Sequence, residues 1–156
     1  MARITQQQKL ENQKKYNQVV LDLFLAEGHE SLTYARIAKE IGVSLTTLQG
    51  YFPSTRAIRA VLHGHILPIL MQPLNFSSES AFHESWDKAL EEPQFQSVMK
   101  LIFFHASQKD QSKDFDLHAE GAFREKVRES FGENARRIIE IAIGRSLLKM
   151  TDYQSS

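Results

Sequence analysis

The chemistry-bearing part of this chain is a run in its first third, from Ala35 to Phe52, reading Ala-Arg-Ile-Ala-Lys-Glu-Ile-Gly-Val-Ser-Leu-Thr-Thr-Leu-Gln-Gly-Tyr-Phe. Ile37, Ile41, Val43, Leu48 and Tyr51 recur at helical spacing on both sides of Gly42, so the spacing predicts two short helices sharing one apolar seam. Ala38 stands where the two axes must approach closely. Gly42 follows the last periodic residue of the first helix, where a turn through positive φ favours glycine. Ser44 then offers a side-chain oxygen to cap the second helix. That second helix presents Leu45, Thr46 and Gln49, with Ser44 and Thr47 at its start. Gln49 has the amide that pairs bidentately with adenine N6 and N7, and Leu45 and Thr46 have the apolar atoms that meet thymine methyl groups. The chemistry expected of this run is readout of base edges in the major groove of double-stranded DNA, by a helix-turn-helix.

Other chemistries find little support. The chain has no cysteine, which removes disulfides, thiolate catalysis and thiolate-bound zinc. His63 and His65 are two residues apart and point to different faces of a helix. His29 follows Gly28 in a packing position, and His83, His105 and His118 lack carboxylates at metal-ligand spacing. The acid pair Glu91-Glu92 abuts Pro93 and reads as solvated surface. No Ser/His/Asp order and no glycine-rich phosphate loop stands out. No catalytic residue, no metal and no cofactor is expected.

The elements that must position the reader are helices throughout. Tyr16, Val19, Val20, Leu23 and Phe24 mark a first helix after a Gln/Lys-rich lead-in, closed by Gly28. Thr33 is the expected N-cap of the second helix, with Arg36 in place of the glutamate of a full capping box. Pro53-Ser54 ends the reading helix and begins a fourth, carrying Ile58, Val61, Leu62 and Ile66 and ended or kinked at Pro68. Pro73 to Ser80 reads as the loop between two domains. Helices follow near Glu79–Glu91 and from Pro93 to about Gln108, then a polar loop over Lys109–Asp116. The stretch from Leu117 to Met150 reads as two helices or one interrupted around Gly132. Its last turns, including Ile138, Ile139, Ile141, Ile143, Leu147 and Leu148, are apolar over more than one stripe. No strand alternation appears, so the expected fold is all-α, with a helix-turn-helix domain of three helices over residues 1–66 and a short helical dimerisation domain over 67–156.

The formal net charge is zero, but residues 1–60 hold 8 Lys/Arg against 5 acids and residues 61–156 hold 11 against 14, or +3 and −3. A basic head on an acidic body suits a phosphate-facing domain. No apolar run approaches a membrane span and the Met1–Lys15 segment lacks a secretory core, so no membrane partner and a cytoplasmic location are expected.

Around the central run, Phe24, Gly28, Thr33, Ile37, Ala38, Gly42, Val43, Ser44, Thr47, Leu48, Tyr51, Phe52 and Ser54 fall in register with one pattern. Over about Tyr16 to Ile66 the chain resembles the DNA-binding domain of the TetR family of transcriptional regulators. The resemblance implies DNA contacts at Thr33, Tyr34 and Tyr51 besides those of the reading helix, Thr33 and Tyr51 holding phosphates. It also implies a homodimer in which the last helices pair as a four-helix bundle. Ala35, Gln49, Gly50 and Thr55 depart from the family pattern and remove expected phosphate or base contacts. The second domain concentrates aromatics; Phe82, Trp86, Met99, Phe103, His105 and Phe123 are candidates for a pocket holding a small apolar effector, and its core is the other account of them. The reading is a dimeric, sequence-specific transcriptional regulator, a repressor acting on a pseudo-palindromic operator. Its alternative is a helical protein-interaction module whose helix-turn-helix has lost specific DNA binding.

Overall fold

A computed structural model describes residues 3–107 and 117–151. These residues form nine α-helices and two 3-10 turns with no strand among them, an all-α fold. The expected loop over Lys109–Asp116 lies outside the described residues. Two compact units divide the chain, Met1–His63 and Gly64–Ser156.

The first unit opens with α1 (Gln6–Glu27). The polar lead-in is part of this helix, not a prelude to it. Gln, Lys and Glu are strong helix formers, and Thr5 starts the helix with a complete capping box. Its hydroxyl accepts from the Gln8 amide at 3.1 Å, and the Gln8 side chain accepts from the Thr5 amide at 3.2 Å. Gly28 ends the helix at φ +88° and donates to the Phe24 carbonyl at 2.8 Å. A 3-10 turn at His29–Ser31 leads to α2 (Tyr34–Ile41) and α3 (Leu45–Tyr51), then α4 (Thr55–Ala60). Val20, Leu23, Phe24, Ile37, Ala38, Leu48, Phe52 and Ile58 are the buried apolar faces of this unit.

The expected fourth helix running on to Pro68 is corrected. It stops at Ala60, residues 61–65 form turns with Gly64 at φ +84°, and α5 (Ile66–Met71) begins afresh. Pro68 sits third in α5, within the first turn, where an amide hydrogen has no helical partner and a proline costs nothing. Residues 72–78 then connect α5 to the next helix inside the second unit.

In the second unit α5 is followed by α6 (Glu79–Ala89), α7 (Pro93–Ser107), α8 (Leu117–Phe131) and α9 (Ala135–Met150). Gly132, at φ +55°, and a 3-10 turn at Gly132–Asn134 divide α8 from α9 into two helices. The core gathers Leu70, Phe82, Trp86, Phe95, Met99, Phe123, Val127, Ile138 and Ala142. Trp86 lies at its centre, edge-on to Phe95 at 5.1 Å and within 6.0 Å of Phe123. Its indole N–H donates to the buried Ser146 hydroxyl at 2.8 Å, and that hydroxyl donates onward to the Ala142 carbonyl at 2.8 Å.

A ladder of ion pairs runs along the outside of this contact. Glu79 pairs with Arg137, Asp87 with Arg145 and Glu91 with Lys149, each 58 residues apart. Constant separation means that α6 and α9 lie side by side and run in the same direction. The acids are all on α6 or just beyond it, and the bases are all on α9. These pairs are exposed, so they specify register more than they add stability.

His83 occupies the missing rung, one turn from both Glu79 and Asp87. Its side chain is 13% exposed, and Glu79 approaches it only to 4.0 Å. Burial and then the Arg145 cation hold the imidazole below its ordinary value of 6.5, against opposing pulls from Glu79 and Asp87; the Arg137 cation also acts to lower it. Below pH 6.5 the unfolded chain therefore takes up a proton that the folded unit refuses, and stability falls with pH. Urea unfolding between about pH 6.5 and 5, above the carboxylate range, is expected to show a smaller loss for His83→Gln than for the unaltered protein. Parallel pH curves would remove His83 as the cause.

Candidate nucleic-acid interface

The turn between α2 and α3 is built as its residue types require. Thr33 caps α2, its hydroxyl accepting from the Arg36 amide at 3.2 Å. Gly42 takes the left-handed conformation (φ 85°, ψ 34°), and the amides of Gly42 and Val43 both donate to the Ala38 carbonyl, at 2.8 and 3.1 Å. Ala38 is buried at this turn. Ser44 caps α3, accepting from the Thr47 amide at 3.1 Å and donating to the Thr47 hydroxyl at 2.9 Å. Ile37 and Leu48 are fully buried in the seam. α3 is thus held at both ends, and its outer face is set by the fold before any partner arrives.

That outer face carries Leu45, Thr46, Gln49 and Gly50, all exposed, with Thr47 beside them. Leu45 is a large apolar side chain left 51% exposed. Among the described residues the Gln49 amide has no hydrogen-bond partner, so its donor and its acceptor both face solvent. No cation stands on α3. Gly50 lies inside the helix without a positive φ, at a cost of roughly 1 kcal/mol relative to alanine.

The flanking candidates are divided differently. Thr33 is exposed and keeps a hydroxyl proton to donate. Tyr34 is half-buried, and its phenol donates to the Phe52 carbonyl at 2.6 Å, tying the start of α2 to the end of α3. Tyr51 is half-buried against α1. Its ring meets Tyr16 edge-on at 4.8 Å, its oxygen accepts from the Asn12 amide at 3.1 Å, and the Lys9 ammonium lies 6.0 Å above its ring. Burial, with Tyr51 alongside, raises the Tyr16 phenol above its usual value. Both Tyr34 and Tyr51 therefore position α3, whatever else they touch.

Two features escaped the sequence. Asn12 holds Tyr51 across 39 residues, a separation without a local signal. Arg36 is clamped by acids, with Nε and Nη2 on Glu27 at 3.2 and 2.6 Å and Nη1 on Glu40 at 2.7 Å. The Glu40 half is legible as an i, i+4 pair, the Glu27 half is not. These bonds raise the guanidinium's pKa and lower that of Glu27, and they withdraw one basic side chain from the pool facing phosphates.

A family model described as the tetracycline repressor LuxT C-terminal domain matches residues 63–150. That span is more than half of the chain. The chain belongs to the tetracycline-repressor family. Comparison with curated proteins finds no match. This family is one of transcriptional repressors, generally without enzymatic activity.

In this repressor-family chain the match begins after α4 and lies over the helices of the second unit, the part that sequence motifs left unplaced. Of the six candidate pocket residues there, Phe82, Trp86, Met99 and Phe123 are buried core and Phe103 packs against that core; His105 is half-buried. Two grooves of about 560 and 580 Å³ are open to solvent elsewhere, one lined by residues including Asn75, Ser85 and Lys88 and the other by residues including Arg124, Arg136 and Ile139. None of the six lines either. No three His, Asp or Glu side chains among the described residues gather as metal ligands. No described helix is long and apolar enough to cross a membrane.

Proposed function

We propose that the protein is a dimeric repressor that reads a pseudo-palindromic DNA site with α3. The observation that carries this reading is the exposed outer face of α3, locked by the Ser44 cap and the Gly42 turn in a member of a repressor family. A helix held this way enters a major groove without further ordering. The exposed stripe Ile141, Gly144 and Leu148 on α9 is the surface for a second copy, spaced i, i+3 and i+7 as a helix-helix seam requires. A small apolar effector fits this reading only by entering the packed core around Trp86.

Selection of bound sites from random duplexes, at several salt concentrations, tests the proposal. The expected result is a site with two-fold symmetry, with half-sites about one helical turn apart, and affinity that falls steeply with salt. On that site Gln49→Ala is expected to cost about 1–3 kcal/mol and to relax preference at one base pair per half-site. Lys14→Ala is expected to weaken all duplexes alike and to reduce the salt slope by about 1. Equal losses from Gln49→Ala on every sequence would reassign that residue to positioning.

One observation favours a second reading, a helical interaction module. The face of α3 lacks a cation, and Arg36 is neutralised by Glu27 and Glu40. An absence of any enriched site in the selection would favour it.

A further inference from the structure

Gly50 is a glycine that the fold does not require. It lies inside α3 with its backbone outside the left-handed region, so no turn demands it. A Cβ built on it meets nothing within 4 Å, so no packing demands it either. The positive-φ glycines of the first unit, Gly28 and Gly42, each have a backbone reason to be glycine. Gly50 has none within the molecule, and it costs the helix stability. Its place is one residue after Gln49 and four after Thr46, on the outward face of α3.

We infer that Gly50 is the point of closest approach between the backbone of α3 and the wall of the DNA major groove. The inference rests on the repressor reading and gives its interface a mode of contact. A face bearing Leu45, Thr46 and Gln49 has short, uncharged reach. It gains contact by seating deeply, where a cationic face would gain it at arm's length. Glycine is the residue that lets a backbone come within van der Waals distance of a ligand. The same position therefore appears as a defect when the protein is considered alone and as a fit when the duplex is present.

Replacement separates this from the plainer account, in which Gly50 merely lacks a contact that a longer side chain would make. On the selected site, Gly50→Ala is expected to raise Tm by about 3 °C through helix propensity and to weaken binding about ten-fold, on the scale of one lost base-pair contact. Because no ion contact is lost, that factor is expected to stay constant as salt is varied. Gly50→Lys is expected to weaken binding further, although it adds a cation. Gly121→Ala, an equally open helical glycine in the second unit, is the control and is expected to raise Tm with DNA affinity unchanged. Unchanged or tighter binding by Gly50→Ala, or tighter binding by Gly50→Lys, overturns the inference and leaves the repressor reading standing. A fall in Tm for Gly50→Ala overturns it too, since the position is then not open. If the unaltered protein selects no site, the repressor reading fails first and the inference falls with it.

Discussion

The double variant Ile141→Asp/Leu148→Asp is expected to give a folded monomer that has lost most of its affinity for DNA. Both side chains stand on the outer face of α9, 36% and 52% exposed, so the isolated unit loses little when they change. Exposed substitutions of this kind stay within about 1 kcal/mol of protomer stability. Across a two-fold axis the same change places carboxylates against an apolar surface and against one another, at several kcal/mol for each buried charge. Dimer affinity is therefore expected to fall at least about a thousand-fold. DNA binding follows, because a protomer alone holds one half-site and forfeits the roughly 10²–10⁴-fold gain from tethering two readers. Sedimentation and thermal unfolding, read with titration on the selected site, check the three parts. A folded dimer of undiminished affinity would move the pairing surface off α9, and a monomeric unaltered protein would remove the dimer altogether. Ile139, although also apolar and on this helix, packs against the core, and charging it confounds assembly with folding.

Trp86→Ala is expected to cost about 3–5 kcal/mol, a large share of the 5–15 kcal/mol that holds a domain together. The indole is 1% exposed, at the meeting of α6, α7, α8 and α9, and its rings touch Phe82, Phe95 and Phe123. Its loss leaves a cavity that four helices cannot close by small shifts, since each is also held by its neighbours. Ser146→Ala is a sharper and smaller test, about 1–3 kcal/mol, because it leaves the indole N–H buried without an acceptor. Urea unfolding followed by circular dichroism measures both. Trp86 is the sole tryptophan, so its fluorescence in the unaltered protein and in Ser146→Ala reports on the second unit alone. A cost below 1 kcal/mol for Trp86→Ala would show that the core does not pack around the indole.

Much of α2, α3 and the turn between them was legible because their signals are local. Gly42 and Ser44 act on neighbours within four residues, and Ile37 and Leu48 lie buried in a seam that spacing alone defines. Helix ends depending on competing local signals were harder. Pro68 looked like a terminator, yet Gly64 had already broken the chain four residues earlier, and a proline in a first turn interrupts nothing. The Gln/Lys-rich lead-in to α1 lacked apolar periodicity and so was expected to precede the helix. Its helix rests on capping and propensity, which periodicity does not register.

By itself the sequence determined an all-α chain, the capped turn and the uncharged outer face of α3, since each depends on residues close together along the backbone. Only the tertiary structure decided which polar groups on and around that face remain available. Tyr34 is engaged by the Phe52 carbonyl, Tyr51 by Asn12 and Arg36 by Glu27, while the amide of Gln49 bonds to none of the described residues. It likewise decided that the acids of α6 meet the bases of α9 rung by rung. Hydrogen bonds and ion pairs depend on distances of about 3 Å between side chains, and no periodicity carries that information across separations of 9 to 58 residues.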